Sequence, residues 1–208
     1  MRGRPRAFDR DQALRRAMET FWALGYEGAS MAELTRAMGI GSPSLYAAFG
    51  SKEALFREAT ALYEREVGAE LSQAIAEAPT AKEAVAAFLG LSAEALARPG
   101  RPPGCMIVLT AMSGHGACEA TRAELKTRRA GSAAALEARL ARAVARGELP
   151  EGLDLAAISR FYVTVQQGMS IQAVDGASFE TLRDVADAAM AAWDRLTATP
   201  DADRAAVA

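Results

Sequence analysis

Hydrophobic positions recur at three- and four-residue intervals along most of this chain, the period of amphipathic helices. Leu14, Ala17, Met18, Phe21 and Trp22 form one apolar stripe behind Asp9, a helix-capping residue. They predict a first helix over residues 9–25, ended by Gly25 and Gly28. Ser30 and Glu33 are spaced as a capping box ahead of Leu34, Ala37 and Met38, and Gly39 closes this second helix. Ile40 is expected to bury the turn. Ser42 then reads as the cap of a third helix, with Pro43 at its first position, where the missing N–H is no loss. Leu45 and Phe49 face inward, while Ser44, Tyr46, Ala47 and Ala48 point outward. Gly50 and Ser51 interrupt the pattern, and Lys52 opens a long fourth helix that runs to residue 77 before Pro79 stops it.

Thr80 and Glu83 make a second capping box for a helix carrying Val85, Phe88, Leu89, Ser92 and Leu96. The stretch PGRPPG, residues 99–104, is the clearest loop. A short helix over CMIVLTAMS and a second loop, GHGAC, follow. A long helix is then predicted over residues 119–146, with Gly131 at its middle either bending it or making room for a neighbour or ligand. Two helices close the chain, over 154–175 and 178–197. The first is apolar on two faces, one with Tyr162, Val165 and Met169 and another with Phe161, Ile171 and Val174, so it needs two partners. The whole reads as all-α, about nine helices: a helix-turn-helix domain over residues 1–50, a helical domain over 51–200, and a frayed tail over 201–208.

Composition agrees. Half of the 208 residues are hydrophobic, alanine is abundant and β-branched residues are sparse. There is no apolar run of about 18 residues, so no membrane span is expected. No secretory signal is read either, because no apolar stretch follows the basic start, and the cytoplasm is the expected location. Net charge is −2, but residues 1–16 hold six Arg against Asp9 and Asp11, a balance of +4. Positive charge is therefore concentrated at one end, where it can meet a phosphate backbone.

The outward face of the third helix suits a DNA groove. Small residues allow close approach to base edges, Ser44 can hydrogen-bond to bases or phosphate, and Tyr46 can reach a phosphate or a thymine methyl. Lys52, beside the free N–H groups of a helix start, reads as a phosphate clamp. Arg2, Arg4 and Arg6 flank Gly3 and Pro5 in a core similar to the AT-hook, a segment that lies in a narrow minor groove.

The block GIGSPSLYAAFGSKEALF resembles the DNA-binding domain of TetR-family transcriptional regulators, with its Leu-Tyr-x-x-Phe followed by Ser-Lys-Glu-x-Leu. The resemblance covers about residues 8–66. It implies a repressor that binds a palindromic double-stranded operator as a homodimer and is released by a small-molecule effector. DNA contacts are then expected from Arg2, Arg4, Arg6, Ser30, Thr35, Ser42, Pro43, Ser44, Tyr46, Ala47 and Lys52. Ser42 and Pro43 stand where many members carry a basic residue and glycine, and Thr35 replaces a common alanine. In the family the last two helices meet their twins, which places Phe161, Val165, Met169, Leu182, Ala186, Ala189 and Trp193 at a dimer interface; the alternative is that both faces are covered within one subunit. An effector pocket among the later helices would draw on Tyr63, Phe88, Met112, Tyr162 and Gln166.

Other chemistry is thin. Cys105, His115 and Cys118 do not have the spacing of a zinc motif, so no metal or cofactor is expected. Two small buried thiols are the plain reading. The sharper one is a redox or electrophile sensor using Cys105 and Cys118 with the same DNA-binding domain. One histidine and no Gly-rich phosphate loop argue against an enzyme. An architectural protein of AT-rich DNA is the remaining alternative.

Overall fold

The computed structural model describes residues 8–112 and 119–198, and all the regular structure among them is helical. Nine helices were predicted and eleven α-helical segments are found there, because two predicted helices are each divided. The chain falls into two compact units. One comprises residues 1–66 with 105–126, the other 67–104 with 127–208. The first unit thus runs past residue 50 and takes in the start of the fourth helix.

In the first unit, α1 (Arg10–Gly28) starts where the Asp9 carboxylate accepts from the N–H groups of Asp11 and Gln12. Gly25, at φ 70°, breaks the helical path as its sequence position predicted. The box at Ser30 forms in full and starts α2 (Met31–Met38), which ends at left-handed Gly39. Next comes α3 (Ser42–Phe49), and here the cap differs from the expected one. Gly41 is the cap residue and makes no side-chain bond, so Ser42 already lies inside the helix and Pro43 one place further in. Proline is still tolerated, because N–H groups of the first turn have no partner within the helix. Ile40 is only half-buried, and so is Ala48.

The fourth helix begins as α4 (Lys52–Tyr63), capped by the Ser51 hydroxyl accepting from Ala54 N–H at 3.1 Å. It then widens into a π-helical turn over Glu64–Gly68 before resuming as α5 (Ala69–Glu77). Such a turn takes more residues per revolution, so the apolar stripe does not continue unchanged. Val67 and Ile75 stay buried, but Leu71 is only half so. Packing of α4 on α1 builds an aromatic core. Phe56 meets Phe21 edge-on at 5.0 Å and Tyr26 at 5.1 Å, and Trp22 meets Tyr63 at 4.9 Å. The short helix α7 (Met106–Met112) packs on α1 and α4 and belongs to this unit.

The second unit is arranged around α6 (Ala81–Leu96), which the Thr80–Glu83 box opens. It packs against α5, against α9 (Leu155–Val174) and against α10 (Phe179–Met190). The predicted last helix is interrupted at Ala191–Ala192 and ends as α11 (Trp193–Leu196). Gly131 lies inside α8 (Glu119–Ala145), and a Cβ there would meet nothing within 4 Å, so it makes room for no close neighbour. A buried arginine with a more exposed carboxylate partner has no signal in the sequence pattern. Arg139 of α8 donates to the carbonyl of Ala78 at 3.2 Å and pairs with Glu148 at 3.6 Å. Glu148 in turn accepts from Ala81 N–H, so one pair holds both sides of the corner between α5 and α6.

Candidate nucleic-acid interface

The helix-turn-helix presents the side chains that its periodicity promised. Leu45 and Phe49 are buried and fasten α3 to the core. Ser42, Pro43, Ser44 and Ala47 are exposed, and Tyr46 is 51 % exposed.

The expected hydroxyl contacts are more constrained. Ser30 Oγ accepts from Glu33 N–H at 3.2 Å and donates to the Glu33 carboxylate at 3.0 Å. Its proton is therefore already used. Thr35 donates within its own helix, to the carbonyl of Met31 at 2.8 Å with that of Ala32 at 3.1 Å. Either oxygen can still accept, but neither side chain has a free donor for phosphate. The backbone N–H of Ser30 and its hydroxyl, both bound to Glu33, hold that carboxyl below the usual range, so it is charged.

Lys52 is half-buried and its ammonium lies 4.5 Å above the ring of Tyr26. The Tyr26 hydroxyl donates to Glu53 at 3.0 Å. Glu53 is lowered by its own backbone N–H first, then by Ser51 and Tyr26, and so carries a negative charge beside the lysine. Lys52 is thus aimed by an aromatic ring as well as by its helix. Arg10 was counted in the sequence only as part of the basic end. Its Nη2 bonds both Glu58 oxygens at 2.8 Å and the Ala48 carbonyl at 3.3 Å, and its guanidinium lies 4.3 Å from the Phe49 ring centroid. Only partners 38 to 48 residues away reveal this role, so no local pattern could signal it. Arg2, Arg4 and Arg6 lie outside the described residues.

The family model for bacterial regulatory proteins of the tetR family matches residues 13–59, the span from α1 into α4. The HTH-type transcriptional repressor ComR of Escherichia coli (strain K12) is 36% identical over 198 residues, covering 94% of this chain and 93% of ComR. The chain belongs to the TetR family. A cysteine-substituted form of the TetR-family regulator CifR, solved with 26-base-pair operator DNA, is 46% identical with a TM-score of 0.87, covering 92% of this chain and 100% of that one. A TetR regulator from Rhodococcus sp. RHA1 is 37% identical with a TM-score of 0.57, covering 92% of this chain and 100% of that one. This TetR-family chain is therefore a DNA-binding transcriptional regulator of the helix-turn-helix type.

The residues expected at an effector pocket are divided between the two units. Tyr63 is buried in the aromatic core of the first unit against Trp22. Phe88, Tyr162 and Gln166 are buried in the second unit. The side chain of Met112 lies outside what is described. Two buried hydroxyls in the second unit, Tyr162 and Ser92, have no hydrogen-bond partner. Burial, and then the charge of Asp194, push the Tyr162 phenol up to about 12. It stays protonated and able to donate.

The expected dimer residues divide sharply. Met169, Leu182, Ala186, Ala189 and Trp193 are buried inside the single chain, among its own core residues. Val165 is half-buried. Phe161 is 38 % exposed, and Ile171 and Val174, which belong to the same outer face, are 38 % and 49 % exposed. Cys105 is half-buried with a thiol outside any disulfide. Cys118 and His115 lie outside the described residues, and among those described no group of three His, Cys, Asp or Glu could hold a metal. No described helix is long and apolar enough to cross a membrane.

Proposed function

We propose that this protein is a ligand-responsive repressor that works in the cytoplasm, binds a palindromic operator as a homodimer and is released by a small molecule. The observation that carries it is the exposed face of Ser44, Tyr46 and Ala47 on a helix pinned by Leu45 and Phe49, in a chain 46% identical to CifR, whose structure holds operator DNA. Ser42, Pro43 and Ser44 approach the groove, Tyr46 and Ala47 meet bases or methyl groups, and Lys52 holds a phosphate. Ser30 and Thr35 act through acceptor oxygens or backbone groups only. The arginine arm adds minor-groove contacts.

The outer face of α9, with Phe161, Ile171 and Val174, meets a second copy, which places two recognition helices about 34–36 Å apart. The partnerless hydroxyls of Tyr162 and Ser92 favour an effector bound in the second unit, with Phe88 and Gln166. Release requires that the effector prefer the conformation that binds DNA poorly. The protein acts by binding and catalyses nothing. Selection from random duplex DNA at physiological salt tests this reading. A recovered palindrome is expected; AT-rich DNA without a dyad would favour an architectural protein, and no recovery would remove DNA binding altogether. A thiol input through Cys105 is the second reading, supported by the half-exposed thiol and by the cysteine substitutions in the CifR form. Cys105→Ser abolishes the response to oxidant or electrophile if that reading holds and leaves it intact otherwise.

A further inference from the structure

We propose that Arg10 is the positioning residue of the recognition helix, holding the C-terminal turn of α3 in the orientation that reads operator bases. The inference rests on the reading of α3 as the helix that enters the groove.

α3 has eight residues and two buried side chains, Leu45 and Phe49. Its N-terminus has no side-chain cap, because glycine occupies that position. Two apolar anchors four residues apart define one line along the helix and leave rotation about that line weakly opposed. Arg10 supplies the missing hold. It donates to the Ala48 carbonyl at 3.3 Å, one of the last carbonyls of α3, which have no acceptor role within the helix. Its guanidinium covers the Phe49 ring at 4.3 Å and is itself held by both Glu58 oxygens at 2.8 Å. Tyr46 and Ala47, exposed, belong to the turn so gripped. A planar guanidinium can stack on a ring and donate from its edge at once, which an ammonium cannot. A cation at a helix C-terminus is also favoured by the helix dipole. Because Glu58 balances the Arg10 charge, the pair holds α3 and does not serve as a phosphate contact.

The test uses the full chain, the operator recovered by selection and a scrambled duplex of equal composition, titrated at several salt concentrations. Arg10→Lys and Arg10→Leu are expected to weaken operator binding about fivefold, in line with one partly exposed charged contact. Binding to the scrambled duplex and the slope of log affinity against log salt are expected to stay unchanged. Glu58→Ala is expected to weaken operator binding too, because it releases Arg10; a carboxylate that merely repels DNA would give tighter binding. Should Arg10→Leu fail to fold in a thermal melt, Arg10→Lys and Glu58→Ala decide. Equal loss on both duplexes with a slope lower by about one would make Arg10 a phosphate contact and overturn the proposal. Unchanged operator affinity, or tighter binding by Glu58→Ala, would overturn it as well. A wild-type protein without preference for the operator would instead defeat the DNA-reading role of α3.

Discussion

α3 and α9 both hold apolar side chains in water, and the difference between them separates two kinds of partner. On α3 the exposed set is Ser42, Pro43, Ser44, Tyr46 and Ala47. These are small or hydroxylated residues around one aromatic, on a helix of eight residues with a bare N-terminus. On α9 the exposed apolar residues are Phe161, Ile171 and Val174, on a helix of twenty residues that buries Ile158, Tyr162 and Met169 on its other face. Small polar groups on a short helix suit a groove where contacts are hydrogen bonds and methyl groups. Large aliphatic and aromatic groups on a long, rigid helix suit a protein surface that excludes water.

The largest expected effect attacks the anchor of α3. Leu45→Ala removes a fully buried side chain from a helix with one other anchor, and should cost about 3 kcal/mol, read in a denaturant titration. Operator binding should vanish with it. A loss below about 1 kcal/mol would mean that α3 is held chiefly by polar contacts. The second attacks the outer face of α9. Ile171→Glu should shift the sedimentation of the protein from dimer to monomer and lower operator affinity at least tenfold, with little change in thermal stability, because the side chain is already partly in water. A dimer unaffected by this change would place the interface elsewhere.

Smaller effects sharpen the DNA side. Lys52→Ala should weaken binding to all duplexes alike and lower the salt slope by about one. An unchanged slope would show that the lysine stays on the Tyr26 ring when DNA is bound. The smallest effect concerns the cap of α2. The Glu33 carboxyl is held below its ordinary range by Ser30, so it contributes stability above the unfolded carboxylate range and loses it as pH falls through the lower folded value. Glu33→Gln should remove that part of the acid dependence in melts between neutral and acid pH. Identical acid profiles for the two proteins would show that the box contributes by geometry alone.

Both capping boxes, Ser30–Glu33 and Thr80–Glu83, were legible because each lies within one turn of chain. So were the glycine stops at Gly25 and Gly39, and the inward pair Leu45 and Phe49. These depend on local period and backbone sterics, which sequence states directly. Other positions are ambiguous in sequence. Met169, Leu182, Ala186, Ala189 and Trp193 carry the apolar signature of any buried surface, and that signature does not say whether the covering side chains come from the same chain or from another. Ser42 lost its capping role to Gly41, one residue away, a choice made by backbone conformation more than by residue type.

The amino-acid order by itself thus determined the helices, their caps and the outward face of α3, because those follow from neighbours three or four residues apart. Only the tertiary structure decided that Arg10 reaches Ala48, Phe49 and Glu58, and that Arg139 and Glu148 close the corner between α5 and α6. An arginine looks alike in sequence whether it lies in solvent or spans to a carbonyl many residues away. Its role is settled by which carbonyls and carboxylates folding leaves without partners within its reach.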